Sequence, residues 1–310
     1  MQTAYELGCA SLPQYASNFS RHDFTLPQLF ACLVLKDFLK RSYRGAEAVL
    51  RDCPDWLADI GMSRAPDHNT LCRAARLLMQ ECHVEKTLDT FADWASRAGV
   101  LKLDEQPLAV DSTSFESRHI SRHYEQRCHK TRKRMRAKEA EKGLKSTRSD
   151  TTRSLPKLAI GISTASHLVL SIWTGTGAGA DHPHFEPVVF NAWRRVPDKT
   201  FTVVADAGYD SEQLHCLARQ DMGLKTLIPP RIGRPRKDGG PPGGMWRESM
   251  VKLMETKESR KACGYSRRGQ VETTNSMIKR NQGSALAGKT SASRQRDMIL
   301  RVITHNVMVC

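Results

Sequence analysis

The sequence predicts an α/β protein. Short apolar runs alternate with helix-patterned stretches between residues 107 and 228, and the first 100 residues carry apolar positions at helical rather than alternating spacing. A third observation bears on what the fold works with: positive charge is gathered into two segments that interrupt this pattern. The expected organisation is a helical domain over residues 1–102, then an α/β domain over residues 103–310. Basic insertions break the second domain at about 118–153 and 229–263.

Pro27 to Lys40 reads as a helix, with Leu29, Phe30, Leu33 and Phe38 at helical spacing after a proline suited to a first turn. Glu47 to Arg51 and Trp56 to Ile60 read as short helical pieces broken by Pro54 and Gly61. Asp67-His68-Asn69-Thr70 opens another helix, with Leu71, Ala74, Ala75 and Leu78 on one face. Val84 to Ala98 completes the set, ended by Gly99. These helices read either as a helix-turn-helix-like module or as a plain bundle packed on the core. Residues 1–100 are not notably basic, which favours the bundle.

Pro107 to Val110 reads as a strand that delivers Asp111 at its end. Leu158 to Ser163 and Leu168 to Trp173 read as a hairpin, and Asp181 to Val196 as a helix. Phe201 to Ala205 is a strand ending at Asp206, Ser211 to Met222 a helix, and Lys225 to Ile228 a strand. Asp210-Ser211-Glu212-Gln213 is a capping-box pattern, so Asp210 reads as a helix cap; Asp181, before His182-Pro183-His184, reads likewise. Between these elements lie His119 to Arg153, partly helical with a charge run from Lys130 to Lys138, and a Pro/Gly-rich linker from Pro229 to Gly244. Within the linker, Gly233-Arg234-Pro235-Arg236-Lys237 is similar to the core of a minor-groove AT-hook, although basic Gly-Pro linkers are common.

The net charge of +15 and pI near 9.6 point to a polyanionic partner. Residues 118–153 hold 13 Lys/Arg against 4 Asp/Glu, residues 229–268 hold 11 against 4, and the remainder sums to about −1. No apolar run is long enough to span a bilayer, and the polar-interrupted stretch from Met1 to Ser20 gives no expectation of a signal peptide. Nine cysteines occur without a C-x-x-C pair, which fits reduced thiols in a cytoplasm. Cys82-His83 and Cys128-His129 stand alone and do not suggest zinc. No phosphate-binding glycine loop followed by lysine appears, and no nucleophile elbow surrounds Ser112 or Ser114.

The densest functional signal runs from Tyr265 to Lys279. On a continuous helix at 100° per residue, Tyr265, Arg268, Glu272 and Lys279 fall within an arc of about 60°, with Val271 and Ile278 well off it. One face then carries a carboxylate among two cations and a phenol, and the other carries the packing. A solvated face with Arg268 and Glu272 as an i,i+4 pair accounts for the same spacing. Asp111 and Asp206, each after an apolar strand, weight the reading towards a site: rigid backbone fixes a carboxylate well, and three such groups suit Mg²⁺, which prefers oxygen ligands.

Asp111 in Val-Asp-Ser-Thr, Asp206 in Ala-Asp-Ala-Gly-Tyr-Asp, and Tyr265, Arg268, Glu272 and Lys279 together resemble the DDE transposases of bacterial insertion sequences. The subgroup is the one whose third acid lies in a tyrosine–arginine–glutamate–lysine motif, and the likeness runs from about Leu29 to the C-terminus. Unlike some members, this chain has no tryptophan just after Asp206. The resemblance implies a ribonuclease-H-like core, in which Asp111, Asp206 and Glu272 converge as catalytic ligands of two Mg²⁺ ions, with Mn²⁺ as a substitute. It implies that Tyr265, Arg268 and Lys279 contact DNA. The charge runs add Lys130, Arg132, Lys133, Arg134, Arg136 and Arg234 as candidate DNA contacts. The implied partners are double-stranded DNA, as element ends and as target, and a second copy of the chain in a homodimer at the bacterial nucleoid. The implied reaction is cleavage and strand transfer at terminal inverted repeats. A ribonuclease-H-like nuclease without strand transfer, or a non-catalytic DNA-binding descendant of a transposase, fits the same residues.

Overall fold

The computed structural model describes residues 1–103, 106–119, 122–141, 155–177, 179–196, 200–231 and 243–310. Arg234 and the rest of the AT-hook-like stretch lie outside them. Helices open the chain: α1 (Gln2–Ser11), α2 (Leu26–Phe38), α3 (Tyr43–Asp52), α4 (Pro54–Ala58), α5 (His68–Leu78) and α6 (Glu81–Arg97). Their starts follow local chemistry. The Thr25 hydroxyl accepts the Gln28 N–H while the Gln28 side chain accepts the Thr25 N–H at 2.9 Å, and Pro27 sits in the first turn of α2. Asp67 accepts the Thr70 N–H at 2.7 Å and opens α5, whose Leu71, Ala74, Ala75 and Leu78 are buried as their spacing predicts.

The remainder runs β1 (Leu108–Ser114), β2 (Glu116–Ser117), α7 (Arg122–Glu141), β3 (Pro156–Ser163), β4 (Val169–Thr176), α8 (His182–Arg195), β5 (Thr202–Ala205), α9 (Glu212–Cys216), β6 (Lys225–Leu227), α10 (Met245–Leu253), α11 (Lys257–Ala262), α12 (Gly269–Gln282), β7 (Ala285–Leu286) and α13 (Ser291–Val309). The five-stranded sheet has the order β4-β3-β1-β5-β6. β3 is antiparallel to both β4 and β1, while β1, β5 and β6 are parallel. This mixed order, with helices on both faces, fits a ribonuclease-H-like domain. β2 and β7 form a separate two-stranded pairing.

Two apolar clusters sandwich the sheet. Leu108 and Val110 of β1 join a cluster with α1, α2, α5, α6 and α8, and Ala109 between them joins a second with Val271, Ile278, Met298 and Val302 of α12 and α13. Such alternation is what a strand buried on both faces produces. The initial helices thus share a core with one face of the sheet. Arg195 of α8, its side chain fully buried, pairs with Asp89 at 2.8 Å and with Glu85, both on α6.

Both rims of the sheet meet side chains. Asn306 of α13 accepts the Val169 N–H at 2.9 Å and donates to the Val169 carbonyl at 2.8 Å on β4. Arg219 donates to the Thr226 carbonyl at 2.8 Å on β6.

Several expectations need correction. β1 does not end at Asp111 but continues through Ser114, because β3 keeps pairing with it as far as Ser114↔Lys157. The helix expected over 211–222 is α9 followed by a π-helical turn, Leu217–Asp221. Tyr265, Arg268, Glu272 and Lys279 do not share one α-helix: Gly264, at φ +82°, precedes a 3₁₀ turn over Tyr265–Arg268, and α12 begins only at Gly269.

Candidate active site

The last parallel pair between β1 and β5 is Val110↔Ala205, so Asp111 and Asp206 are the next residues on two adjacent strands. The period of two sets what each side chain of β1 meets. Asp111 and Thr113 follow Ala109 towards α12, while Ser112 follows Val110 towards α8. Asp206 is further fixed by a turn: its Oδ1 accepts the Gly208 N–H at 2.8 Å. A Cβ at position 208 would stand 2.9 Å from that oxygen, so glycine suits the close approach.

An open cleft between β1 and α12 is lined by Asp111, Thr113, Glu272, Asn275, Lys279 and Arg280, among others. Burial pushes the Asp111 carboxyl up to about 6; the Ser112 N–H and Arg268 oppose this, and the charges of Asp206 and Asp181 add to it. Lys279 donates to Thr113 Oγ1 at 2.5 Å and lies 5.4 Å from the centre of the Phe115 ring. Its pKa is lowered by burial, against the pull of Asp111 and Glu116. Tyr265 is half-buried, and burial raises its pKa. On α12, Val271 and Ile278 are fully buried and Glu272 is exposed, as expected of the two faces.

Glu272 lines the cleft with Asp111, yet its carboxylate is engaged by Arg268 at 2.8 Å, the i,i+4 pair that the spacing allowed. Among the described residues no three His, Cys, Asp or Glu side chains stand close enough together to hold a metal ion. The expected convergence of Asp111, Asp206 and Glu272 is therefore not assembled among the described residues, and Glu272 is paired with Arg268. What is present, two aspartates on neighbouring strands beside hydroxyls and without thiolate or imidazole ligands, is a donor set suited to a hard divalent ion.

Two carboxylates expected as helix caps do other work. Asp181 stands before α8 but makes no side-chain cap bond. Its Oδ1 pairs with Lys157 Nζ at 2.5 Å and accepts a hydrogen bond from Ser112 Oγ. Asp210 accepts from the Arg247 guanidinium at 2.6 and 2.8 Å and from the Arg231 N–H at 2.8 Å, joining the two sides of the 232–242 segment. The signal for Asp181 was Lys157: a lysine within a buried strand needs a nearby anion. Tyr209 was also missed. Its hydroxyl is fully buried without a hydrogen bond of good geometry, and burial, with the charges of Asp181, Asp111 and Asp206, raises its pKa.

Lys130, Lys133 and Arg134 are exposed on α7, and Arg132 and Arg136 belong to the same helix. Residues 102–307 match the family model described as the transposase DDE domain. The chain belongs to this family. Neither a curated protein nor a solved structure matches it. The match spans the whole sheet and both aspartate-bearing strands of the DDE domain, together with α12. Membership makes the chain a transposase-type enzyme with DNA as its partner. Among the described residues, no helix of the transposase is long and apolar enough to cross a membrane.

Proposed function

We propose that the protein cleaves DNA at the terminal inverted repeats of an insertion sequence and joins the freed ends to target DNA, with Asp111, Asp206 and Glu272 as the catalytic acids. It belongs, in this reading, to the subgroup with the tyrosine–arginine–glutamate–lysine signature. The observation that carries the proposal is the adjacency of Asp111 and Asp206 at the end of the β1–β5 parallel pairing, with Glu272 across the same cleft. Asp111, Asp206 and Glu272 would together hold two Mg²⁺ ions, and Mn²⁺ would substitute. The chemistry such a metal pair would supply is Lewis-acid activation of a water or DNA 3′-hydroxyl and charge stabilisation of the leaving oxygen.

The chain's own residues orient the DNA. Arg268 and Lys279 would bind phosphates beside the scissile bond, and Tyr265 would hold backbone by hydrogen bonding or stacking. A phosphate that takes Arg268 leaves Glu272 without its present partner. Lys130, Arg132, Lys133, Arg134 and Arg136 of α7 supply sequence-independent attraction, and Arg234 extends it. Residues 1–102 would serve as a helical bundle packed on the core, and two copies would hold two ends.

Asp111→Ala, Asp206→Ala and Glu272→Ala are each expected to abolish Mg²⁺-dependent cleavage and joining of a terminal-repeat duplex while DNA binding persists in a gel-shift assay. Normal turnover by any one variant removes that residue from the catalytic set. Cleavage without joined product would favour the nuclease reading.

A further inference from the structure

Behind Asp111 and Asp206, on the α8 side of the sheet, lies a group of side chains that the proposed reaction does not use. Lys157 is only 7 % exposed. Its ammonium donates to the Gly179 carbonyl at 2.7 Å and pairs with Asp181 Oδ1 at 2.5 Å. The same oxygen accepts the hydroxyl of Ser112, the neighbour of Asp111 on β1. The other oxygen of Asp181 reaches the second strand end: a Cβ at Gly208 would lie 3.5 Å from it, and the Gly208 N–H is the group that holds Asp206 Oδ1. The Tyr209 hydroxyl is also fully buried and without a well-formed partner, and the charge of the same carboxylate adds to the rise in its pKa.

One carboxylate therefore stands against both backbone stretches that present the catalytic aspartates, and a buried lysine locks it in place. Helix capping does not account for this arrangement, since Asp181 makes no side-chain cap bond. Groups behind the ligands of a metal site fix ligand orientation and so govern affinity. Building on the assignment of Asp111 and Asp206 to divalent-ion binding, we propose that Asp181, anchored by Lys157, is a positioning residue. It sets the spacing of the two aspartates through Ser112 and the Gly208 turn, and so determines how tightly the site takes a divalent cation.

The test is Mn²⁺ binding to the full-length chain without DNA, followed by electron paramagnetic resonance, beside thermal melting and the Mg²⁺ dependence of cleavage. Ser112→Ala cuts the link to β1 without stranding a buried charge. It is expected to melt like the wild type, to bind Mn²⁺ about 10-fold more weakly, and to need correspondingly more Mg²⁺ for half-maximal cleavage. Ser112→Thr, which keeps the hydroxyl, is expected to restore both. Asp181→Asn should weaken Mn²⁺ binding at least as much; should it fail to fold, the Lys157→Met/Asp181→Asn pair removes both charges and is expected to weaken binding likewise. Asp111→Ala and Asp206→Ala serve as controls. If they lose Mn²⁺ binding while Ser112→Ala and the Asp181 variants bind like the wild type, the positioning role is overturned. If the controls themselves retain binding, the metal assignment fails and the positioning role falls with it.

Discussion

His215 is fully buried on α9, with its Nδ1 2.7 Å from Thr226 Oγ1. Burial, aided by the positive charges of Arg219 and Arg247, lowers its pKa from 6.5 to about 4, against the pull of Asp210 and Glu212. The unfolded chain therefore takes up this proton at a higher pH than the folded one. The stability contribution is complete above about pH 6.5 and is lost as the pH falls through about 4. Melting temperature is expected to drop across that window, and His215→Gln to flatten the drop; an unchanged profile in the variant would place the sensitivity elsewhere. Legibility at this scale divides along sequence distance. The placement of Asp111 and Asp206 beside the last β1–β5 pair could be anticipated because each follows its own apolar run. Asp181 and Asp210 could not, because a capping pattern is local while their partners Lys157 and Arg247 lie on other elements.

Elements whose ends are set by neighbouring residues were the most legible. Pro27 marks the first turn of α2 and Asp67 caps α5, and the burial of Val271 and Ile278 follows their spacing on α12. The start of α12 was less so. A period near 3.6 describes the 3₁₀ turn at Tyr265–Arg268 nearly as well as α-helix, and Gly264 was the one sign of a restart. The Arg268–Glu272 pair survives because the two residues still span about one turn. The 20-residue helix α7 tests the electrostatic reading. Alanine at Lys130, Arg132, Lys133, Arg134 and Arg136 together is expected to weaken binding to many duplex sequences alike. It should also flatten the plot of log affinity against log salt, by about 0.9 for each phosphate no longer neutralised. A retained slope would mean that α7 merely meets solvent.

Over the whole molecule, the net charge of +15 was readable from composition, and the modest charge of residues 1–100 favoured a bundle packed on the core; which face of the sheet it covers was not readable. Apolar stripes show that a helix buries a face, not what it buries it against. The side chains on the two sheet rims bear on whether another chain could add a strand there. A bare strand edge is a template on which a second chain can add its own strand. Here the carboxamide of Asn306 saturates Val169 in the way a neighbouring strand would, and the guanidinium of Arg219 occupies the Thr226 carbonyl. Asn306→Ala is expected to raise concentration-dependent light scattering during mild heating, with the oligomer distribution of the wild type as reference. Since open-ended stacking at either rim must first displace these groups, a second copy that added its strand there would give up bonds the fold already makes.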